Sequence, residues 1–135
     1  MEDREETTPG KNARGITHVW RATGIAFQGL HAAWQHEDAF RQEVLVAAVA
    51  IPVALLVSVN PLEKAMMIAS IFLVLIVELL NSAVEAAVDH TSLKCHPLAK
   101  RAKDVASAAV FLSIVNALVV WGLVMFTHAP AAVAI

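Results

Sequence analysis

Ala65-Met-Met-Ile-Ala-Ser-Ile-Phe-Leu-Val-Leu-Ile-Val-Glu-Leu-Leu-Asn-Ser-Ala-Val-Glu-Ala-Ala-Val88 holds only two charged residues, Glu78 and Glu85. A membrane span needs about 20 mostly apolar residues, because the hydrocarbon core is roughly 30 Å thick and a helix rises about 1.5 Å per residue. This segment is long enough, and two others match it. Val44 to Leu62 is an uncharged run of 19 residues, and Val105 to Ile135 has no Asp, Glu, Lys or Arg. Buried helices of a soluble bundle would each need a polar face, and none can be drawn on 44 to 62 or 105 to 126. The expected fold is all-α and integral to a membrane, with three transmembrane helices over about 42–61, 64–89 and 97–127.

Composition agrees. Of 135 residues, 58% are hydrophobic, and mean hydropathy is +0.63, too high for an ordinary soluble domain of this size. A net charge of −2 gives no basic excess, so nucleic acid is not an expected partner. The lone cysteine, Cys95, can form neither an internal disulfide nor a multi-thiolate metal site, and it is expected to be inert. The six histidines make no H-x-x-x-H pair.

Lys and Arg counted by loop set the orientation. Nine of the ten fall in the N-terminal segment or the 89–104 loop, Lys64 lies in the opposite turn, and the tail after Phe126 has none. The N-terminus is expected in the cytoplasm and the C-terminus outside. The first 40 residues contain no continuous apolar stretch and begin with the acidic run Glu2, Asp3, Glu5, Glu6. No cleaved signal peptide is expected, and residues 1–13 read as a disordered acidic tail ahead of one membrane domain, 14–135. Between tail and first span, Ile16, Trp20, Thr23, Phe27, Leu30 and Trp34 fall within roughly 80° at 100° per residue. This predicts an amphipathic helix over about 14–36 lying in the membrane interface, with Gly24 and Gly29 as possible breaks. Pro52 predicts a kink in the first span.

Glu78, Asn81, Glu85 and Asp89 fall on one stripe of the second span. An ionisable side chain within a span costs about 2.5–3.5 kcal/mol on insertion scales, so these groups must face protein, water or a cation. A polar seam gluing helices together accounts for one such residue, and Ser82, Ala83, Ala86 and Ala87 alongside suit close packing. Three carboxylates in register with an amide point instead to function. The stripe runs toward Lys100, Arg101, Lys103 and Asp104 at the start of the third span, while Glu37, Asp38, Arg41 and Glu43 edge the first. Carboxylates beside phosphate oxygens are the usual way to hold Mg²⁺, lysine neutralises a transferring phosphoryl group, and a carboxylate at a lipid hydroxyl can act as general base. The basic cluster by itself is a topology signal. Neither a P-loop nor a protein-kinase glycine-rich loop is present.

The stretch Glu78-Leu-Leu-Asn-Ser-Ala-Val-Glu-Ala-Ala-Val-Asp89 is followed by Ala102-Lys-Asp-Val-Ala-Ser-Ala-Ala109 and preceded by Glu37-Asp-Ala-Phe-Arg-Gln-Glu43. Together they closely resemble the small prokaryotic diacylglycerol kinases, which share a family with the undecaprenol kinases. The resemblance spans roughly residues 16–126. It implies a homotrimer in the bacterial inner membrane, with MgATP and a lipid alcohol as ligands at a cytoplasmic site shared between subunits. It also implies that Glu78 is the catalytic base with Asn81 beside it, and that Glu37 and Glu85 hold the divalent ion against ATP. Lys103, Asp104 and Asp89 would complete the nucleotide site, and Gln42, Ser107 and Trp34 would line the lipid side. Phe40-Arg-Gln-Glu43 and Trp34 look like the diacylglycerol branch, whereas His96-Pro-Leu-Ala-Lys100 is commoner in the undecaprenol branch. Diacylglycerol is the expected substrate. Two other classes fit the stripe: a proton- or cation-coupled membrane subunit, and a structural three-span protein. Neither gives Lys103 and Asp104 a role.

Overall fold

The computed structural model describes residues 15–91 and 96–128. The expected acidic tail, Lys94 and Cys95 lie outside the described residues. Four helices follow one another: α1 (Ile16–His36), α2 (Asp38–Leu56), α3 (Pro61–Thr91) and α4 (Pro97–Thr127). The last three are long and apolar enough to cross a membrane.

α1 runs unbroken through Gly24 and Gly29. A Cβ at either glycine would meet nothing within 4 Å, so neither serves a close helix approach. Ile16, Trp20 and Phe27 are each more than 60% exposed. An exposed apolar face of this kind suits a helix lying in a membrane interface. The opposite edge is small: Ala33 is buried, and with Ala26 and Gly29 it borders a groove whose other wall is Ser82, Ala83 and Ala86 of α3.

One residue separates α1 from α2. Glu37 has extended backbone (φ −116°, ψ 108°), and its N–H still donates to Ala33 O at 2.9 Å while its own carbonyl accepts from Arg41 N at 3.2 Å. Arg41 fastens this elbow. Its guanidinium donates to the terminal carbonyls of α1, Trp34 O at 3.1 Å and Gln35 O at 3.3 Å, and pairs with the Asp38 carboxylate. The last carbonyls of α1 have no partner within their own helix, and a cation there both satisfies them and opposes the helix dipole.

The expected first span, about 42–61, falls on α2, whose helix bounds differ from it at both ends. The helix begins at Asp38, because the elbow needs only Glu37, and stops at Leu56. The stop has a local cause: Pro61 disfavours helical backbone at Asn60, and Asn60 instead caps α3. Glu63 N donates to Asn60 Oδ1 at 2.9 Å and Asn60 N to Glu63 Oε2 at 3.1 Å, a reciprocal capping box. Lys64 Nζ then donates to Leu55 O at 2.7 Å, closing the end of α2. The helix that carries the expected second span, about 64–89, runs Pro61–Thr91, and the one that carries the third, about 97–127, runs Pro97–Thr127. α2 continues through Pro52 with its helix unbroken.

α3 packs on both α2 and α4. Small residues carry the contacts: Ala47 and Ala54 of α2, Ser70 of α3, and Ser113 and Ala117 of α4 are all buried. Close approach is the main source of helix affinity in lipid, where apolar burial gives little. The serine hydroxyls turn back to carbonyls of their own helices, Ser70 to Met67 O and Ser113 to Val110 O, both at 2.7 Å. Near the Pro61 end, Met67 packs with Ala54 and Val124, and the Trp121 indole N–H donates across to Met67 O at 3.3 Å. His128 Nε2 lies 3.5 Å from Glu63 Oε2 at the same end.

Asn60→Ala removes one half of the capping box and is expected to lower unfolding stability in detergent by about 1 kcal/mol, with helix content unchanged. Denaturant titration followed by circular dichroism checks this; an unchanged midpoint would deny the cap its role.

Candidate functional site

The stripe on α3 faces inward. Glu78 is 3% exposed, Asn81 and Glu85 are half-buried, and Asp89 is exposed at the far end. A run of carboxylates that starts in the core and ends in solvent follows directly from their spacing on a straight helix.

Glu78 stands at the polar end of an apolar groove of about 650 Å³ formed by α2, α3 and α4. Gln42 and Glu43 share that end with it, and Val74, Val110 and Trp121 are among the walls. The charges of Glu37, Glu43 and Glu85 all reach Glu78. Glu37 comes from the α1–α2 elbow, Glu43 from the second turn of α2, and Glu78 and Glu85 from α3, so three points of the chain converge on one acidic site. Within the site Asn81 Nδ2 donates to Glu85 Oε1 at 3.3 Å. That bond turns the amide so that Asn81 Oδ1 is buried without a partner, as are Glu43 Oε2 and Ser82 Oγ. Buried acceptors lacking a donor are costly and mark where a further group belongs.

Among the described residues, no three His, Cys, Asp or Glu side chains converge closely enough to hold an ion alone. The donor set still fits a hard divalent cation shared with a phosphate ligand, because Mg²⁺ is ordinarily bound by one or two carboxylates, waters and substrate phosphates. Glu37 and Glu85 supply carboxylates of that kind, and the unpartnered amide oxygen lies beside Glu85.

The basic residues occupy the solvent end. Lys103 Nζ bonds Asp89 Oδ1 at 2.6 Å, tying α4 to α3, and Lys100 Nζ bonds Asp104 Oδ2 at 2.6 Å one turn along α4. Pro97 starts α4 in its first turn, and His96 Nδ1 accepts from Leu98 N at 3.2 Å as its cap, so these lysines stand on the opening turns of a well-defined helix. Exposed pairs of this sort add little stability, and either lysine can exchange its carboxylate for a phosphate.

The chain thus brings Glu37, Gln42, Glu78, Asn81 and Glu85 together and places Lys103, Asp89 and Asp104 at the rim. Trp34 and Ser107 are not among the groove-lining residues, and both are exposed. Glu43 is the site residue that sequence reasoning left out of the site. It is the last charge before the 19-residue uncharged run 44–62, and it lines the groove with Glu78.

Fold and site define a three-span integral membrane protein with an acidic centre where an apolar groove meets a basic rim. The chain matches the prokaryotic diacylglycerol kinase family over residues 24–125, and it belongs to that family. It is 48% identical over 118 residues to the diacylglycerol kinase of Pseudomonas aeruginosa, a match covering 87% of this chain and 96% of the relative. It is 41% identical over 117 residues to the diacylglycerol kinase of Escherichia coli K12, again covering 87% and 96%. The diacylglycerol kinase of Helicobacter pylori 26695 is 41% identical over 110 residues, covering 82% of this chain and 86% of its own.

Like charges held together destabilise the empty site, so Glu43→Gln, which removes one charge at nearly constant volume, is expected to stabilise the protein by about 1 kcal/mol. A rise in the thermal midpoint in detergent would bear this out, and an unchanged or lower midpoint would show that Glu43 feels no such repulsion.

Proposed function

We propose that the chain acts as an ATP-dependent lipid kinase that phosphorylates diacylglycerol, with Glu78 as the general base. The observation that carries the base assignment is the position of Glu78. It is the buried carboxylate at the junction of an apolar groove, suited to an acyl chain, and a hydrophilic rim, suited to nucleotide. A lipid hydroxyl anchored by its hydrocarbon in the groove has its reactive oxygen at Glu78 and Gln42. ATP approaches from the rim, where Lys103 leaves Asp89 for the phosphates and Asp104 takes up a polar contact.

In the transfer, the lipid oxygen attacks the γ-phosphorus of ATP and the bond from that phosphorus to the β,γ-bridging oxygen breaks. The hydroxyl proton passes to Glu78, and ADP leaves with the bond electrons. Positioning and charge neutralisation do most of the work in such a reaction. Glu37 and Glu85 would hold a divalent cation, which when bound would supply charge neutralisation to the phosphates. Asn81 orients Glu85 through its amide N–H and leaves its oxygen free for a water or the ion. Glu43 shares the polar end of the groove with Glu78 and Gln42.

The working form is a homotrimer with its N-terminus cytoplasmic and its C-terminus outside. Two features support assembly. The apolar window of each span is 17% buried within one subunit, leaving broad faces for neighbouring copies and lipid. The groove is also open along one side, so a neighbouring subunit can complete its walls. The Lys and Arg distribution supports the orientation. The acyl groove and the cation pairs together favour a kinase over an ion-coupled subunit, which would need a polar path rather than an apolar one.

Transfer of labelled γ-phosphate from MgATP to diacylglycerol, with undecaprenol alongside, tests the reading in detergent micelles. Glu78→Gln is expected to cut turnover by about 10²–10⁴-fold while assembly and nucleotide binding persist. Retention of substantial activity would remove Glu78 as the base. Glu85→Gln is expected instead to raise the Mg²⁺ and ATP concentrations needed for half-maximal rate.

A further inference from the structure

The groove that ends at Glu78 has a second end. Trp121 closes it, far from the carboxylates: its indole bonds Met67 O, and Met67 lies eleven residues along α3 from Glu78, ~16 Å at the helical rise. On the other side of Trp121 is another apolar recess of about 500 Å³ against α2. Val46, Ala50 and Trp121 line both spaces, so these three side chains are the partition between them. Val46 and Ala50 are small, and Trp121 supplies the bulk. Its ring is half-buried, fixed by its hydrogen bond and packed on the Ala54, Met67 and Val124 cluster.

From these observations we infer that Trp121 is a specificity-determining residue, the end wall that sets how long an acyl chain the groove accepts beside Glu78. The inference rests on the reading of the groove as the lipid site and adds the device that selects among lipids. The span of groove lined by α4, from Val110 to Trp121, is ~16 Å long. One leaflet of a bilayer contributes about half of a roughly 30 Å hydrocarbon core. The wall therefore stands where the acyl chain of an ordinary membrane lipid ends. A much longer polyprenyl chain must displace the indole. The hydrogen bond to Met67 O opposes displacement, since a buried indole N–H without a partner is unfavourable.

Chain-length profiles test this directly. Wild-type protein, Trp121→Ala and Ala50→Leu are assayed in mixed micelles with saturated 1,2-diacylglycerols of increasing length and with undecaprenol. Trp121→Ala joins the groove to the recess and is expected to raise the ratio of kcat/KM for long over short chains by about tenfold, the scale on which apolar pockets discriminate methylenes. Ala50→Leu narrows the groove at the same level without touching the indole, and is expected to shift the ratio the other way. It keeps the test decisive if Trp121→Ala folds poorly. A photoreactive diacylglycerol carrying its label at the acyl terminus provides the independent arm, with labelling of Trp121 or Ala50 expected in the wild-type protein. Labelling there with identical length profiles in all folded variants would overturn the wall and leave the groove as the lipid site. Labelling confined to other segments would overturn both.

Discussion

A carboxylate cannot sit in hydrocarbon without help, and the arrangement of this chain turns on how Glu78 is accommodated. It is eleven residues deep from the exposed Asp89 along a continuous helix, and 3% exposed within the subunit. Other elements are placed where they relieve that burial or make use of it. α2 brings Gln42 and Glu43 to the same level, the elbow at Glu37 brings another carboxylate, and Asn81 braces Glu85. Gathering like charges opposes folding, and such opposition is commoner at functional sites than in cores built for stability alone.

What holds the acidic centre in place is mostly not acidic. Small side chains let α2 and α4 approach α3, and the polar ties lie at the helix ends: Lys103 to Asp89 at one end, and the Asn60–Glu63 box, Lys64 on Leu55 O and Trp121 on Met67 O toward the other. Interhelical bonds in a membrane are individually modest, near 0.6 kcal/mol on average. Distributing them along the bundle fixes the register of α3 against its neighbours, and register decides whether Glu78 meets the groove or the lipid.

Much of this was legible in the residues. Gaps between charges located three spans because the hydrocarbon thickness dictates their length, and helical spacing put Glu78, Asn81, Glu85 and Asp89 on one stripe. The start of α4 was legible because Pro97 suits a first helical turn. The end of α2 was not. The uncharged run continues past Leu56, and hydropathy cannot register a helix stop made by Pro61 and the Asn60–Glu63 box, although N-P-x-E is itself a capping signal. Glu43 was overlooked because it looks like one more charge at a membrane rim. Its pairing with Glu78 joins residues 35 apart in the chain, and no local spacing encodes such a contact. The groove is likewise a property of three helices together, so Trp121 carries no sequence mark beyond being an aromatic residue in an apolar span.

The single-residue elbow has a mechanical meaning. α1 presents Ile16, Trp20 and Phe27 to its surroundings, and its last carbonyls are bound by Arg41, which belongs to the first turn of the next helix. Only Glu37 lies between, and Glu37 is also one of the acidic groups around Glu78. A helix with an exposed apolar face is thereby joined, through one peptide unit, to one of the carboxylates around Glu78. With no slack in the connection, the direction in which α1 leaves the bundle and the place of the Glu37 carboxylate are set by the same backbone.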